Sequence, residues 1–185
     1  MFIQTEETPN PATLRFLPGQ AVMKSGTADF TAPEQAQASP LAMALFAIEG
    51  IKAVYLGADF ITITKADDRQ WLLLKPAILG ALMDHFTSGR EVMTGSSTAA
   101  GHAAAGEGDD GDIIDQIIDL LDTRIRPAVA QDGGDITFLR YEDGVVYLSM
   151  RGSCAGCPSS TATLKNGIEN MLRHYVPEVT EVRAG

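Results

Sequence analysis

Apolar residues recur along this chain in two blocks, and a stretch of small residues separates them. In the first block, Met1–Thr5 and Thr13–Leu17 read as short strands around Thr8-Pro9-Asn10-Pro11, a turn whose two prolines forbid helix. Phe30–Ser39 has no period and reads as irregular. From Pro40, a residue suited to a first helical turn, Leu41, Leu45 and Ile48 share one face, and Gly50 is the expected terminator. Ile51–Leu56 and Phe60–Lys65 are β-branched and aromatic strands joined across Gly57-Ala58-Asp59, and Trp71–Phe86 reads as a closing helix with a bend expected at Pro76. The second block opens with Asp112 as the expected N-cap, then Ile113, Ile114, Ile117, Ile118, Leu120 and Leu121 at helical spacing. Pro127 should end or bend that run. After the turn Asp132-Gly133-Gly134-Asp135 come two strands, Ile136–Tyr141 and Val145–Met150, with Asp143-Gly144 as the hairpin signal. Ser159–Tyr175, begun by Pro158, places Leu164, Ile168, Leu172 and Tyr175 on one helical face. Pro177 stops it, and Val179–Arg183 is a candidate last strand.

The stretch between the blocks, residues 88–111, contains six glycines, five alanines and three serines among 24 residues. With so little to bury, it cannot offset its ordering entropy and is expected to be a flexible linker reaching roughly 25–30 Å. The expected fold class is therefore α+β, with two small α+β domains: residues 1–87, and residues 112–185 in the order α-β-β-α with a possible terminal strand.

Charge narrows the partners. Against 14 Lys and Arg stand 24 Asp and Glu, a formal −10 with pI about 4.6. The excess is spread as −3, −3 and −4 over the first block, the linker and the second block, so neither domain is a concealed basic module. Such a surface repels phosphate backbones and anionic membranes, and neither nucleic acid nor membrane is an expected partner. No stretch approaches the ~20 apolar residues of a membrane helix. The start, with Glu6 and Glu7 and no basic region, is unlike a signal or transit peptide. The expected compartment is the cytoplasm of a bacterium, and an organellar chain whose presequence has been removed fits as well.

Chemistry is concentrated in one place. The two cysteines, Cys154 and Cys157, lie in Gly152-Ser153-Cys154-Ala155-Gly156-Cys157-Pro158, between a strand and the start of a helix. Two intervening residues let both sulfurs reach one centre, the flanking glycines allow a tight backbone, and helix N–H groups favour thiolate. Thiolates select iron–sulfur clusters, zinc or Cu(I). Closed zinc sites and common clusters want four protein ligands, and this chain offers two. His102 falls in the linker, and His174 stands roughly 25 Å away at 1.5 Å rise per residue. Two chains supply four thiolates, so a symmetric dimer sharing one releasable centre is the economical arrangement. A thioredoxin-like dithiol enzyme also places CxxC at a helix start. Against it, the preceding strand is read as part of an antiparallel hairpin rather than a βαβ unit. A zinc-bridged structural dimer is a third reading.

Asp132 and Asp135 read as turn formers, and Arg126, Arg151 and Lys165 as solvated charges rather than counter-charges to a cluster. His85, on a helix, is more simply a packed residue than a ligand. Residues 1–87 carry no cysteine and no phosphate loop, which leaves partner contact as their expected task.

Ile125-Arg126-Pro127-Ala128-Val129, Asp132-Gly133-Gly134-Asp135-Ile136, the cysteine loop through Ser160, and Thr163-Leu164-Lys165-Asn166-Gly167-Ile168-Glu169 closely resemble the C-terminal domain of NifU-like (Nfu-type) proteins. Phe2-Ile3-Gln4-Thr5-Glu6, Thr8-Pro9-Asn10-Pro11, Leu14-Arg15-Phe16, Ser39-Pro40-Leu41 and Val54-Tyr55-Leu56 resemble the Nfu N-terminal domain. The resemblance implies an iron–sulfur cluster scaffold or carrier rather than an enzyme. In it, Cys154 and Cys157 would be the cluster and metal ligands, holding a [4Fe–4S] cluster between two subunits, with a [2Fe–2S] form left open. The implied partners are a second copy of the chain, an upstream assembly scaffold and apo iron–sulfur client proteins. The cysteine-rich domains of full-length nitrogen-fixation NifU are lacking here, so that protein's assembly role does not carry over.

Overall fold

A computed structural model describes residues 1–94, 110–155 and 158–185. The chain divides into two compact units, Met1–Ala100 and Gly101–Gly185.

In unit 1 five strands form one antiparallel sheet in the order β1-β2-β5-β4-β3: β1 (Gln4–Glu7), β2 (Thr13–Leu17), β3 (Ala28–Phe30), β4 (Ile51–Leu56) and β5 (Ile61–Lys65). The apolar positions of the central strands bury Phe16, Leu56, Ile61 and Ile63 against Leu41 and Leu45 of α1 (Pro40–Phe46) and Ile78 and Leu82 of α2 (Trp71–Thr87). Ser39 caps α1: its hydroxyl accepts from the Ala42 N–H at 3.1 Å and donates to the Val92 carbonyl at 2.6 Å. α2 runs on through Pro76.

Three expectations change here. β1 lies about two residues later than expected, paired Gln4 to Leu17 through Glu7 to Leu14. The stretch read as irregular ends in a 3-10 helix, Pro33–Ala38, and β3 is a three-residue strand too short for a period to show. Val92 and Met93, inside the expected linker, pack on the core of unit 1, and the Thr94 N–H donates to the Ala38 carbonyl at 2.9 Å. The rest of that linker, residues 95–109, lies outside the described residues.

Unit 2 begins with α3 (Gly111–Leu120), where Asp110 holds the N-cap position without a side-chain capping bond and Asp112 stands in the first turn. The helical run does not stop at Pro127. It widens into a π turn over Leu121–Ile125 and continues as α4 (Arg126–Gln131). Proline lacks an N–H and its ring crowds the carbonyl four residues back, and a wider turn just before it relieves both problems. β6 (Gly134–Glu142) and β7 (Val145–Gly152) form the hairpin, with Asp143 and Gly144 at φ 47° and 81°, the paired left-handed residues of a tight turn. α5 (Pro158–Tyr175) then leads to β8 (Glu181–Ala184), which pairs parallel with β7. Ile168, Leu172 and Val176 enter the core. Tyr175, expected on that face, is exposed under the Arg124 guanidinium at 5.0 Å.

β7 therefore belongs to two motifs, the antiparallel hairpin with β6 and a β7-α5-β8 crossover. The absence of a βαβ unit, one ground for setting the dithiol enzyme aside, does not hold.

Candidate metal centre

The cysteine loop is built against the start of β6. Gly152 ends β7 at φ 62°, a left-handed conformation that turns the chain off the sheet. Ser153 then ties the loop down twice: its N–H donates to the Gly133 carbonyl at 3.2 Å, and its hydroxyl to the Asp132 carbonyl at 2.5 Å. Cys154 follows, buried in the core of unit 2 at 6% exposure. The turn closes with the Ala155 N–H on the Gly152 carbonyl at 3.1 Å. Gly156 and Cys157 lie outside the described residues, and α5 starts at Pro158.

Gly134 makes room for this thiol. A Cβ there would run into Cys154 Sγ and would stand 3.1 Å from the Cys154 nitrogen and the Arg151 carbonyl. Of the two glycines in Asp132-Gly133-Gly134-Asp135, Gly133 serves the turn at φ 80°, while Gly134 already lies in the strand. A glycine inside a strand weakens it and marks a close approach, and that is the signal by which the sequence could have disclosed this cradle.

Asp135 is not a turn former. It is buried in β6 and takes both oxygens to Arg126, Oδ1 to Nε at 2.8 Å and Oδ2 to an Nη at 3.0 Å. Oδ1 also accepts from the Ile136 N–H at 2.8 Å. A second Nη of Arg126 reaches Asp122 at 2.9 Å. Arg126 is thus no free solvated charge. Its bond to Asp135 raises its pKa against the opposing effect of burial, with Asp122 adding to the rise. The clamp joins the π turn, α4 and β6, and so fixes the floor on which Cys154 sits. Arg151 is half-exposed in register opposite Asp135, and Lys165 is half-buried on α5.

Burial pushes the Cys154 thiol up to about 11; a hydrogen bond with Ser153 lowers it, and the Asp132 and Asp135 carboxylates raise it. Reactive CxxC enzymes depend on the opposite shift, a thiolate at neutral pH. A ligand sulfur is different, because metal displaces the proton as it binds. Among the described residues no three His, Cys, Asp or Glu side chains converge as a metal site. A soft sulfur held in a shaped cradle fits one thiolate ligand of a centre completed from elsewhere.

Comparison with known proteins bears on what that centre is. A family model described as the scaffold protein Nfu/NifU N-terminal domain matches residues 3–89, and one described as a NifU-like domain matches residues 117–183. The human protein named NFU1 iron-sulfur cluster scaffold homolog, mitochondrial, is 51% identical over 183 residues, 98% of this chain and 71% of its own length. NifU-like protein 4, mitochondrial, of Arabidopsis thaliana is 50% identical over 184 residues, 98% of this chain and 65% of its own length. A solution structure of a NifU-like protein from Saccharomyces cerevisiae shares 27% identity at a TM-score of 0.47, covering 51% of this chain and 85% of that one.

Proposed function

The chain belongs to the Nfu/NifU scaffold family, and from that premise we propose that it carries an iron–sulfur cluster and hands it to apo-proteins. Cys154 and Cys157 are the proposed ligands, two from each of two copies, around one [4Fe–4S] cluster; a [2Fe–2S] form needs the same four thiolates. The observation that carries this reading is the seat built for Cys154, where Gly134 yields its side-chain space to the sulfur.

The cluster is cargo, and its transfer is ligand exchange. Each iron–sulfur bond to a carrier cysteine breaks as one to an acceptor cysteine forms. The acceptor thiol gives up a proton, the departing carrier sulfur takes one, and the cluster keeps its electrons. Apart from this exchange at its cysteine sulfurs no bond of the carrier changes, and the chain is read as a scaffold rather than an enzyme. Burial and the nearby carboxylates favour the protonated thiol once the cluster has left, which assists release.

An upstream scaffold donates the cluster, and residues 1–87 contact the acceptors. Tethering such a domain to the cluster domain raises the effective concentration of one at the other. The human and Arabidopsis relatives are named as mitochondrial. A reducing compartment, bacterial cytoplasm or the interior of such an organelle, is the proposed setting.

Anaerobic reconstitution with ferrous iron and sulfide tests this on the full chain and on Cys154→Ala. The expected content is about four irons and four sulfides per two wild-type chains, lost in the variant. Tightly held zinc without sulfide would replace this reading with the structural dimer. Disulfide turnover by a metal-free monomer would replace it with the dithiol enzyme.

A further inference from the structure

α2 is apolar on both sides. Leu74, Ile78, Leu82 and His85 face the core of unit 1. The opposite face is exposed and apolar over Leu72, Leu73, Pro76, Ala77, Gly80 and Met83, with Leu72 at 80% and Leu73 at 74%, and it is closed at its C-terminal end by exposed Asp84, which pairs with Arg90. A helix on the surface of a soluble domain normally turns charged and polar residues to water along its length, and this face does so only past Met83.

Two further details point outward. A Cβ at Gly80 would meet nothing within 4 Å, so the fold itself gains no packing from this glycine. Glycine there weakens the helix relative to alanine. Bare backbone at that point lets another helix approach to the short end of the usual 8–10 Å axial separation. Pro76 has no N–H for the Leu72 carbonyl, so an acceptor beside the same exposed face lacks its usual helical donor.

We infer that this face of α2 is a docking surface for an apolar helix of the acceptor protein, engaged only while the cluster is transferred. The size of the face sets the character of the contact. From Leu72 to Met83 it runs roughly 17 Å, and at a helix width of about 10 Å it offers roughly 170 Å² in projection. A standard interface buries about 800 Å² on each partner. So small a face cannot by itself hold a permanent pair of chains. A partner that docks and leaves fits the area.

This inference rests on the carrier reading and deepens it. The test uses the full, cluster-loaded chain as wild type, Gly80→Arg and the double variant Leu72→Glu, Leu73→Glu. All three substituted positions lie on exposed helix surface, and circular dichroism confirms that each variant keeps its helical signal. The probe is the apo form of a [4Fe–4S] hydro-lyase from the same cell, its regained activity the readout. Iron and sulfide content should match wild type in both variants. At low acceptor concentration the transfer rate should fall about tenfold, the equivalent of ~1.4 kcal/mol of docking, and it should recover as acceptor is raised toward saturation. Unchanged rates at low acceptor overturn the docking surface and leave the carrier reading standing. Sedimentation showing that copies of the chain associate through this face, with Gly80→Arg abolishing it, overturns it in favour of a second copy. Failure of wild type to take up a cluster overturns the carrier reading and this inference together.

Discussion

Unit 1 and unit 2 are both small sheets backed by helices, yet they bury polar groups in different ways. In unit 1 the buried polar residues are dispersed: Asn10 and Thr13 hold a turn, Ser39 caps a helix, and His85 lies inside α2. Of the three in unit 2 among the described residues, Asp135 and Ser153 flank one thiol, Ser153 fastening the loop after β7 to the turn before β6 and Asp135 fastening β6 to α4. Dispersed buried polar groups serve the fold, whereas convergent ones mark where a fold is committed to holding something. The contrast supports the proposal that unit 2 carries the cluster chemistry and unit 1 the recognition.

Four expected outcomes probe that division, and Trp71, the only tryptophan, lies in unit 1 and reports on it alone. The largest effect belongs to Arg126→Ala, which leaves Asp135 buried without its partner and should cost unit 2 about 3 kcal/mol. At 4–8 °C per kcal/mol, the unit 2 transition seen by circular dichroism drops roughly 12–24 °C while Trp71 fluorescence melts as before. Equal shifts of both signals would mean that the units are not independent. Next, Gly134→Ala forces a methyl group against Cys154 Sγ and should destabilise unit 2 by about 1–3 kcal/mol. Its bound sulfide after reconstitution should fall, whereas Gly80→Ala in unit 1 leaves sulfide unchanged.

Ser39→Ala removes the cap of α1 and the bond to the Val92 carbonyl together, at a cost of about 1–2 kcal/mol read from the Trp71 transition. The smallest effect is acid sensitivity at His85. Its Nε2 is buried without a hydrogen-bond partner, and burial lowers its pKa from 6.5, with Arg90 adding to the fall and Asp84 opposing it. As pH drops below 6.5 the unfolded chain takes up the proton first, so stability declines until the folded histidine also titrates, and is then flat. The Trp71 transition should therefore be lower at pH 5.5 than at 7.5, and His85→Gln should narrow the gap. An equal gap in the variant would place the acid sensitivity elsewhere.

Local signals made much of this legible in the sequence. Strands Thr13–Leu17 and Ile51–Leu56 occupy the expected residues, because alternation and β-branching act over a few positions. Asp143-Gly144 announced its hairpin because few other residues tolerate two successive left-handed conformations. What escaped was set by distance. Nothing near Ala28–Phe30 foretells a strand completed by pairing with Val54–Leu56. Asp135 and Arg126, nine positions apart, look like surface charges until the π turn and β6 bring them into one clamp. The parallel pairing of β7 with β8, which changed the standing of the dithiol reading, is likewise decided by how α5 packs and not by either strand's own residues. For the candidate site, the spacing of Cys154 and Cys157 was plain, whereas the Gly134 cradle needed the fold to bring β6 against the loop.

The central claim is that two chains share one cluster, and native mass spectrometry of the anaerobically loaded full chain tests it most directly. The account predicts a species of two chains carrying about four irons and four sulfides, absent when Cys154→Ala is loaded in the same way. A single chain holding a complete cluster, or a pair of chains holding metal without sulfide, would contradict it.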